Sequence, residues 1–226
     1  MGDSPGEAFC NQQLAFIGRV SAGFTHEFMN HLAVINESAG LLGDLFALAK
    51  RKGIAVDHDR CLKIIASIGD RVALAAELAG YVNRFSHRLD ESAVNFSVSD
   101  VLAELVALLE RFARQRNVKF VANLSPTVEL IHNNPALLQF VVYSLFMTTL
   151  AGLSDGGMLT VVVQKIDNKV WITLRAKGWR PEQAGAETDP GDEPVLSEAL
   201  HKLAAEFDYS SHAEGCLDVV LRVAAL

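Results

Sequence analysis

One pattern in the first quarter of the chain constrains the fold most strongly: small or apolar residues recur at steps of three and four. These positions are Leu14, Ile17, Ser21, Phe24, Phe28, Leu32, Ile35, Ser38, Leu42, Leu45 and Ala49. About five repeats of this spacing predict one helix on the order of 55 Å long, at about 1.5 Å per residue. A helix of that length needs a bundle or coiled-coil partner.

A second helix with the same spacing follows a break at residues 51–57, where Gly53 suits a helix C-terminus. Its apolar positions are Cys61, Ile64, Ile65, Ile68, Val72, Ala75, Leu78, Val82, Phe85 and Leu89. Two long amphipathic helices joined by a short loop predict an antiparallel hairpin. One hairpin cannot cover both apolar stripes and their flanking positions, so we expect two copies to meet as a four-helix bundle in a homodimer.

The pattern changes after Asp90 and predicts a second domain of alternating helices and strands. Helices are predicted at 99–116, with Ser99 as the N-cap, and at 135–153 and 195–207. Strands are predicted at 118–123, 127–131, 158–165, 169–176, 208–213 and 216–223, with a turn at 155–157 and a loop at 180–194. This order predicts an α+β fold, with a mixed sheet covered by helices on one face. The expected domains are 10–90 and 96–226.

Composition excludes several function classes. The chain has 226 residues, with 20 Lys+Arg against 27 Asp+Glu and a net charge of −7, which argues against nucleic-acid binding. Its three cysteines lie far apart without metal-site spacing, as is typical of reduced intracellular thiols. The N-terminus has no signal-peptide pattern, and the uncharged stretch 131–154 is better explained by a helix buried against a sheet than by a membrane span. We therefore expect a cytoplasmic protein without membrane insertion.

A histidine on the first helix stands apart from its apolar stripe. Successive helical residues rotate by about 100°, so His26 lies roughly 200° from Phe24 and is predicted to face solvent. Asn30 shares its face, four residues on, and Glu27 is adjacent. A zinc site of the His-Glu-x-x-His type is excluded, because His31 follows five residues later, about 140° around the helix. No metal or other cofactor is expected on this chain.

The segment 17–35, IGRVSAGFTHEFMNHLAVI, resembles the H-box of two-component sensor histidine kinases. Segments 96–102, 134–139 and 154–161 resemble parts of that family's ATP-binding domain, so the resemblance spans about nine-tenths of the chain. It implies a dimerisation hairpin followed by an ATPase-like α/β sandwich, with the phosphoryl group carried by His26. It also implies that Glu27 orients the ring or accepts its proton, and that Asn30 positions a water for dephosphorylation of the partner's aspartate.

The residues of the family's nucleotide site differ here. Thr148 and Ser144 stand where the family has asparagines, and Thr148 is a poor magnesium ligand. The Asp-x-Gly-x-Gly turn corresponds to Ala176–Arg180, which lacks the adenine-reading aspartate and the second glycine. The lid segment carries five acids and no Lys or Arg: Glu182, Glu187, Asp189, Asp192 and Glu193. Because such a loop repels triphosphate, we expect no ATP binding.

This combination resembles the dimeric histidine phosphotransferases of phosphorelays. The resemblance implies that His26 passes phosphoryl groups between aspartates of response-regulator receiver domains, with magnesium supplied by the receiver. A basic group near the phosphoryl would assist, and two candidates are Arg19, one heptad before His26, and Arg84. Arg84 is expected level with His26 if the hairpin folds about residue 54. Two alternatives stay open: a sensor histidine kinase with an unorthodox ATP site, and a non-catalytic dimeric scaffold that binds a response regulator.

Overall fold

The computed structural model describes residues 5–90, 92–125, 130–180, 193–212 and 215–226. Five helices and seven strands are found in these ranges. In chain order they are α1 (Pro5–Lys52), α2 (His58–Arg88), β1 (Val94–Ser97), α3 (Val98–Gln115), β2 (Lys119–Asn123), β3 (Leu130–Asn133), α4 (Pro135–Ala151), β4 (Leu153–Ile166), β5 (Lys169–Trp179), α5 (Pro194–Leu203), β6 (Glu206–His212) and β7 (Cys216–Ala224).

The first two helices form the predicted antiparallel hairpin. Gly53, with φ of +64°, ends α1 in the left-handed conformation that favours glycine. Asp57 caps α2, because its side chain accepts a hydrogen bond from the Arg60 backbone N–H at 3.0 Å. A 48-residue α1 therefore lies against a 31-residue α2.

The apolar stripe of α1 lies elsewhere than predicted in its N-terminal half. Leu14 is 61% exposed, whereas Phe16, Val20 and Gly23 are buried. The stripe is thus rotated by one residue, about 100°. The reason is that this half of α1 packs against α3 and α4 as well as α2, and these contacts decide which side is covered.

By length and composition, α1 also contains a window apolar enough to cross a membrane, with mean hydropathy 1.4. Only 6% of that window is buried in the structure. The uncharged stretch 131–154, by contrast, forms β3, α4 and the start of β4. Its helix is buried on nearly all sides, as the sequence predicts.

The second domain confirms the α+β prediction. A five-stranded sheet has the order β2-β4-β5-β7-β6, with β2 parallel to β4 and the other neighbours antiparallel. Every second residue of the central strands points into the core beneath the helices: Leu159, Val161, Val163, Ile172, Leu174, Leu217, Val219 and Leu221. Strands β1 and β3 form a separate antiparallel pair.

Several predicted boundaries need correction. The sequence reading missed β1, and the N-cap of α3 is Ser97, not Ser99. The predicted turn at 155–157 is an irregularity within β4. The last helix ends at Leu203, because Ala204 adopts φ of +50°. Of the strand predicted at 127–131 and the loop predicted at 180–194, residues 127–129 and 181–192 lie outside the described ranges.

The hairpin and the sheet domain are joined by an aromatic cluster around Phe16. Its ring centroid lies 5.5 Å from that of Phe85 on α2, and 5.9 and 4.6 Å from those of Phe140 and Tyr143 on α4. Such edge-to-face and tilted pairs stabilise beyond the area they bury. The sheet domain is therefore packed directly on the base of α1.

A buried carboxylate strengthens this joint from α3. Glu104 is only 2% exposed, and it accepts two hydrogen bonds from Arg88 near the end of α2, at 3.2 and 3.3 Å. Arg84 lies 3.6 Å away from the same carboxylate. A buried charge needs such partners, because its desolvation is costly.

Replacement of this carboxylate tests the joint. Glu104→Ala removes the partner of Arg88, and we expect a loss of about 2 kcal/mol or more in the free energy of unfolding. Glu198→Ala, which breaks an exposed pair with Lys202 one turn away on α5, serves as the control and should cost less than about 0.5 kcal/mol. Urea denaturation at matched protein concentration measures both, and equal losses would contradict the account.

Candidate functional site

His26 is exposed on α1, as its rotation from the apolar stripe predicts. Its ring nitrogen Nδ1 lies 3.2 Å from Nδ2 of Asn30, one helical turn on. Which of the two groups donates depends on the tautomer of the imidazole and the orientation of the amide. The imidazole is thus held at one nitrogen, and a reacting group can approach from solvent.

Glu27 is turned away from this ring. Its Oε1 accepts a hydrogen bond from Arg114 Nη2 on α3 at 2.9 Å, and its side chain is only 21% exposed. Among the described residues, Glu27 has no hydrogen bond with His26. In this structure the acid next to the histidine therefore binds the sheet domain.

Helix α3 approaches α1 closely at the turn before His26. A Cβ on Gly23 would lie 3.5 Å from the Phe112 ring, an ordinary contact distance, so a small residue allows this approach. Arg111 donates hydrogen bonds to the carbonyl oxygens of Ala22 and Gly23, at 3.4 and 3.3 Å. In an α-helix these carbonyls also accept the backbone N–H groups of the residues four positions on, His26 and Glu27.

This contribution of α3 was not foreseen from the sequence. The available signals were a glycine within a helix and a run of basic residues at the end of another: Arg111, Arg114 and Arg116. Neither feature indicates that α1 and α3 pack against each other, so the contact could be found only in the tertiary structure.

Arg19, the other basic residue considered for the phosphoryl site, lies on α1 seven residues before His26. Its Nη1 donates to the Tyr143 hydroxyl on α4 at 3.5 Å, and it makes no hydrogen bond or ion pair with His26 among the described residues. It extends the contact between α1 and the sheet domain.

Arg84 does not lie level with His26, and that expectation is wrong. Its neighbour Phe85 packs on Phe16, ten residues before His26, which corresponds to roughly 15 Å along α1. Arg84 instead lies beside Glu104. The count about residue 54 fails because residues 54–57 are not helical. An extended residue advances about 3.3 Å, against about 1.5 Å in a helix, so this connection can carry the chain further back along α1.

A groove of about 410 Å³ lies between α1, α2 and α3, beside the His26 turn. It is lined by Glu27, His31, Arg71, Leu74, Glu77, Leu78, Tyr81, Ala107, Glu110 and Arg114. Burial, followed by a hydrogen bond to Glu77, raises the pKa of Tyr81 above its ordinary value. Because His31 is one of the lining residues, its side chain faces this groove, whereas His26 faces solvent.

Thr148 and Ser144, which stand where the resembling family has asparagines, are hydrogen-bonded within their own helix. Thr148 Oγ1 donates to the Ser144 carbonyl at 3.0 Å, and Ser144 Oγ donates to the Phe140 carbonyl at 2.9 Å. Serine and threonine hydroxyls that donate to the carbonyl oxygen four residues earlier have their hydrogen-bond donor satisfied within the helix. Within the described ranges, no group of three or more His, Cys, Asp or Glu could hold a metal ion.

The segment that corresponds to the adenine-binding turn is part of a strand. Ala176 is fully buried in β5, which continues to Trp179. Trp179 is 5% exposed; its indole lies against Gly152 and meets Tyr209 edge to face. Of the acidic lid residues, Glu193 caps α5 and accepts a hydrogen bond from Gln12, while the other four lie outside the described ranges.

Fold and site together define a helical hairpin with an exposed histidine, joined to an α+β sheet domain. No protein-family model matches the sequence, and no curated protein matches it. The solved structures to which it is similar include histidine kinases. The catalytic domain of ThkA is 14% identical with a TM-score of 0.49, over 59% of this chain and 96% of that one.

Two further structures cover more of the chain. Histidine kinase AdeS of Acinetobacter baumannii is 12% identical with a TM-score of 0.48, over 83% of this chain and 94% of that one. ThkA in complex with the response regulator protein TrrA is 14% identical with a TM-score of 0.49, over 96% of this chain and 64% of that one. Likenesses this remote do not assign a function.

The close packing of Trp179 gives a testable expectation. A Cβ at residue 152 would overlap the indole, with Cδ1 only 2.9 Å away, so Gly152→Ala forces a buried side chain to move. We expect a loss of about 1–3 kcal/mol in the free energy of unfolding, with a change in tryptophan fluorescence. The matched change Gly40→Ala, where nothing lies within 4 Å, should not destabilise α1. A melting temperature that Gly152→Ala leaves unchanged would show that the indole is not confined there.

Proposed function

We propose that this protein is a histidine phosphotransferase, which moves phosphoryl groups between receiver-domain aspartates through His26. The observation that carries the proposal is the exposed His26 imidazole on a long helix, with Asn30 beside one ring nitrogen. A neutral imidazole is a good nucleophile near neutral pH. The rigid helix supplies the orientation that an in-line displacement needs.

The transfer step balances without a further reactant. The lone pair of His26 Nε2 attacks the phosphorus of a receiver aspartyl phosphate, and an N–P bond forms as the P–O bond breaks. The electron pair of that P–O bond remains on the aspartate, which leaves as a carboxylate. Magnesium held by the receiver would neutralise the phosphoryl oxygens. The reverse step returns the phosphoryl group to a second receiver.

We further propose that no ATP takes part. In support, the Thr148 and Ser144 hydroxyls donate hydrogen bonds to backbone carbonyl oxygens of their own helix. Ala176, at the position of the adenine-reading aspartate, has no polar side-chain group. These contacts leave the magnesium and adenine positions of the resembling family without suitable side chains. In this respect we propose a difference from histidine kinases, which as a class use ATP.

The partners we propose are a second copy of the chain and a response-regulator receiver domain, in the cytoplasm. Large apolar side chains are exposed along both hairpin helices: Met29, Leu32, Leu41, Phe46, Leu62, Ile65, Val72 and Leu74. A second hairpin would cover them in a four-helix bundle. The ThkA structure was solved with a response regulator, which is the kind of partner we propose here.

Transfer from a phosphorylated receiver tests the function. Purified protein is mixed with a receiver domain labelled by a small-molecule phosphodonor, with magnesium and without nucleotide. We expect the label to move to this chain, and His26→Ala to abolish the transfer because the nucleophile is gone. His58→Ala, an exposed histidine at the start of α2, is the control and should retain transfer.

The same assay separates the alternatives. A sensor histidine kinase incorporates label from ATP without any receiver, and it shows ATP binding by calorimetry; the proposal expects neither. A non-catalytic scaffold binds the receiver equally well with His26→Ala and never becomes labelled. Either result would replace the phosphotransferase assignment.

A further inference from the structure

The two arginines expected beside His26 from the sequence have other partners in the structure. Arg19 donates to the Tyr143 hydroxyl on α4, and Arg84 pairs with the buried carboxylate of Glu104. A phosphoryl group on His26 would carry up to two negative charges, so a cation at this turn would still assist its transfer. Another part of the chain must supply that cation.

Helix α3 brings two arginines to the turn of α1 that precedes His26. Arg111 and Arg114 are three residues apart, about 60° around α3, so they share the face that packs on α1. Arg114 Nη2 lies 2.9 Å from Glu27 Oε1, and this carboxylate balances its charge. Arg111, by contrast, forms no ion pair within the described part of the chain. Its charge is therefore available to a phosphoryl group.

Main-chain oxygens of α1 hold the Arg111 guanidinium in place. Its Nη1 donates to the carbonyl oxygens of Ala22 and Gly23, at 3.4 and 3.3 Å. In the helix these oxygens also accept the backbone N–H groups of His26 and Glu27, so the guanidinium lies against the backbone that carries the histidine. Because both bonds come from one nitrogen, Nε–H and the Nη2 hydrogens of Arg111 can donate to another acceptor.

The geometry of the helix places His26 on the same surface as this guanidinium. Ala22 and Gly23 precede His26 by four and three residues, within about 60° of it around α1. A helical side chain leans toward the N-terminus, over the turn formed by the residues three and four positions earlier. Arg111 is bonded to that same turn. The exposed ring and the half-buried guanidinium therefore occupy neighbouring parts of one surface.

We propose that Arg111 of the sheet domain binds the phosphoryl group carried by His26. Its remaining N–H groups donate to the phosphoryl oxygens, and its charge stabilises the negative charge that accompanies the group onto the ring. The bonds from Nη1 to α1 orient the guanidinium before the phosphoryl group arrives. The role of Arg111 in transfer rests on the proposed function, whereas its contact with a phosphoryl group on His26 does not.

Phosphorus NMR of the whole protein tests this contact without any receiver. Phosphoramidate transfers its phosphoryl group to histidine and releases ammonia, and the resonance of phosphorylated His26 is assigned by its loss in His26→Gln. The pH dependence of this resonance gives the pKa for the second ionisation of the phosphoryl group, about 6 for phosphorylated side chains. A bound guanidinium favours the doubly charged form. We therefore expect Arg111→Gln to raise this pKa by about 0.4, the size of one exposed charge pair.

Two further variants separate a local charge from a general one. Arg111→Lys keeps a cation on the same stem position, so its phosphoryl pKa should lie closer to the wild-type value than that of Arg111→Gln. Arg116→Gln removes the same charge from the exposed C-cap of α3, about 140° around the helix, and should leave the pKa unchanged. The proposal is overturned if Arg111→Gln leaves the pKa unchanged, or if Arg116→Gln raises it as much.

Transfer rates then connect the contact to function. With a phosphorylated receiver, Arg111→Gln should slow phosphoryl uptake by about threefold or more, and Arg116→Gln should retain the wild-type rate. The expected pKa change together with no transfer in any protein would refute the phosphotransferase assignment alone. An unchanged pKa with normal transfer would refute the role of Arg111 alone. If phosphoramidate gives no His26 resonance in the wild type, the imidazole does not accept phosphoryl groups and both are refuted.

Discussion

The close contact between α3 and the His26 turn of α1 is the constraint on which the rest of the structure depends. The Phe112 ring lies against Gly23, and Arg111 donates hydrogen bonds to two carbonyl oxygens of that turn. The Glu27–Arg114 pair completes the contact. Since α3 belongs to the sheet domain, these interactions fix the domain beside the histidine.

The same joint explains why the histidine is available. One side of α1 is covered by α3, by the aromatic residues of α4 and by α2, and the Phe16 cluster and buried Glu104 hold these elements together. His26 lies outside that covered side and faces solvent. The sheet domain therefore braces the helix that carries His26.

The sequence predicted the elements better than their contacts. Periodicity was sufficient for the hairpin, the buried α4 and the exposed His26, because a helix repeats at a known angle. Periodicity misplaced the apolar stripe around Leu14, because it carries no information about packing against a second domain. It also misplaced Arg84 along α1, because it does not report how far a non-helical connection carries the chain. The pairing of Glu27 with Arg114 joins residues 87 positions apart, and single-sequence patterns do not report such pairs.

We propose that the solvent-facing imidazole of His26 carries the phosphoryl group. Mass spectrometry at neutral to basic pH, with fragmentation that preserves phosphohistidine, locates the group after incubation with a phosphorylated receiver in the absence of nucleotide. The account predicts one phosphorylated peptide, modified at His26. Modification at His31, which faces the groove between the three helices, or at no residue of the chain, would contradict it.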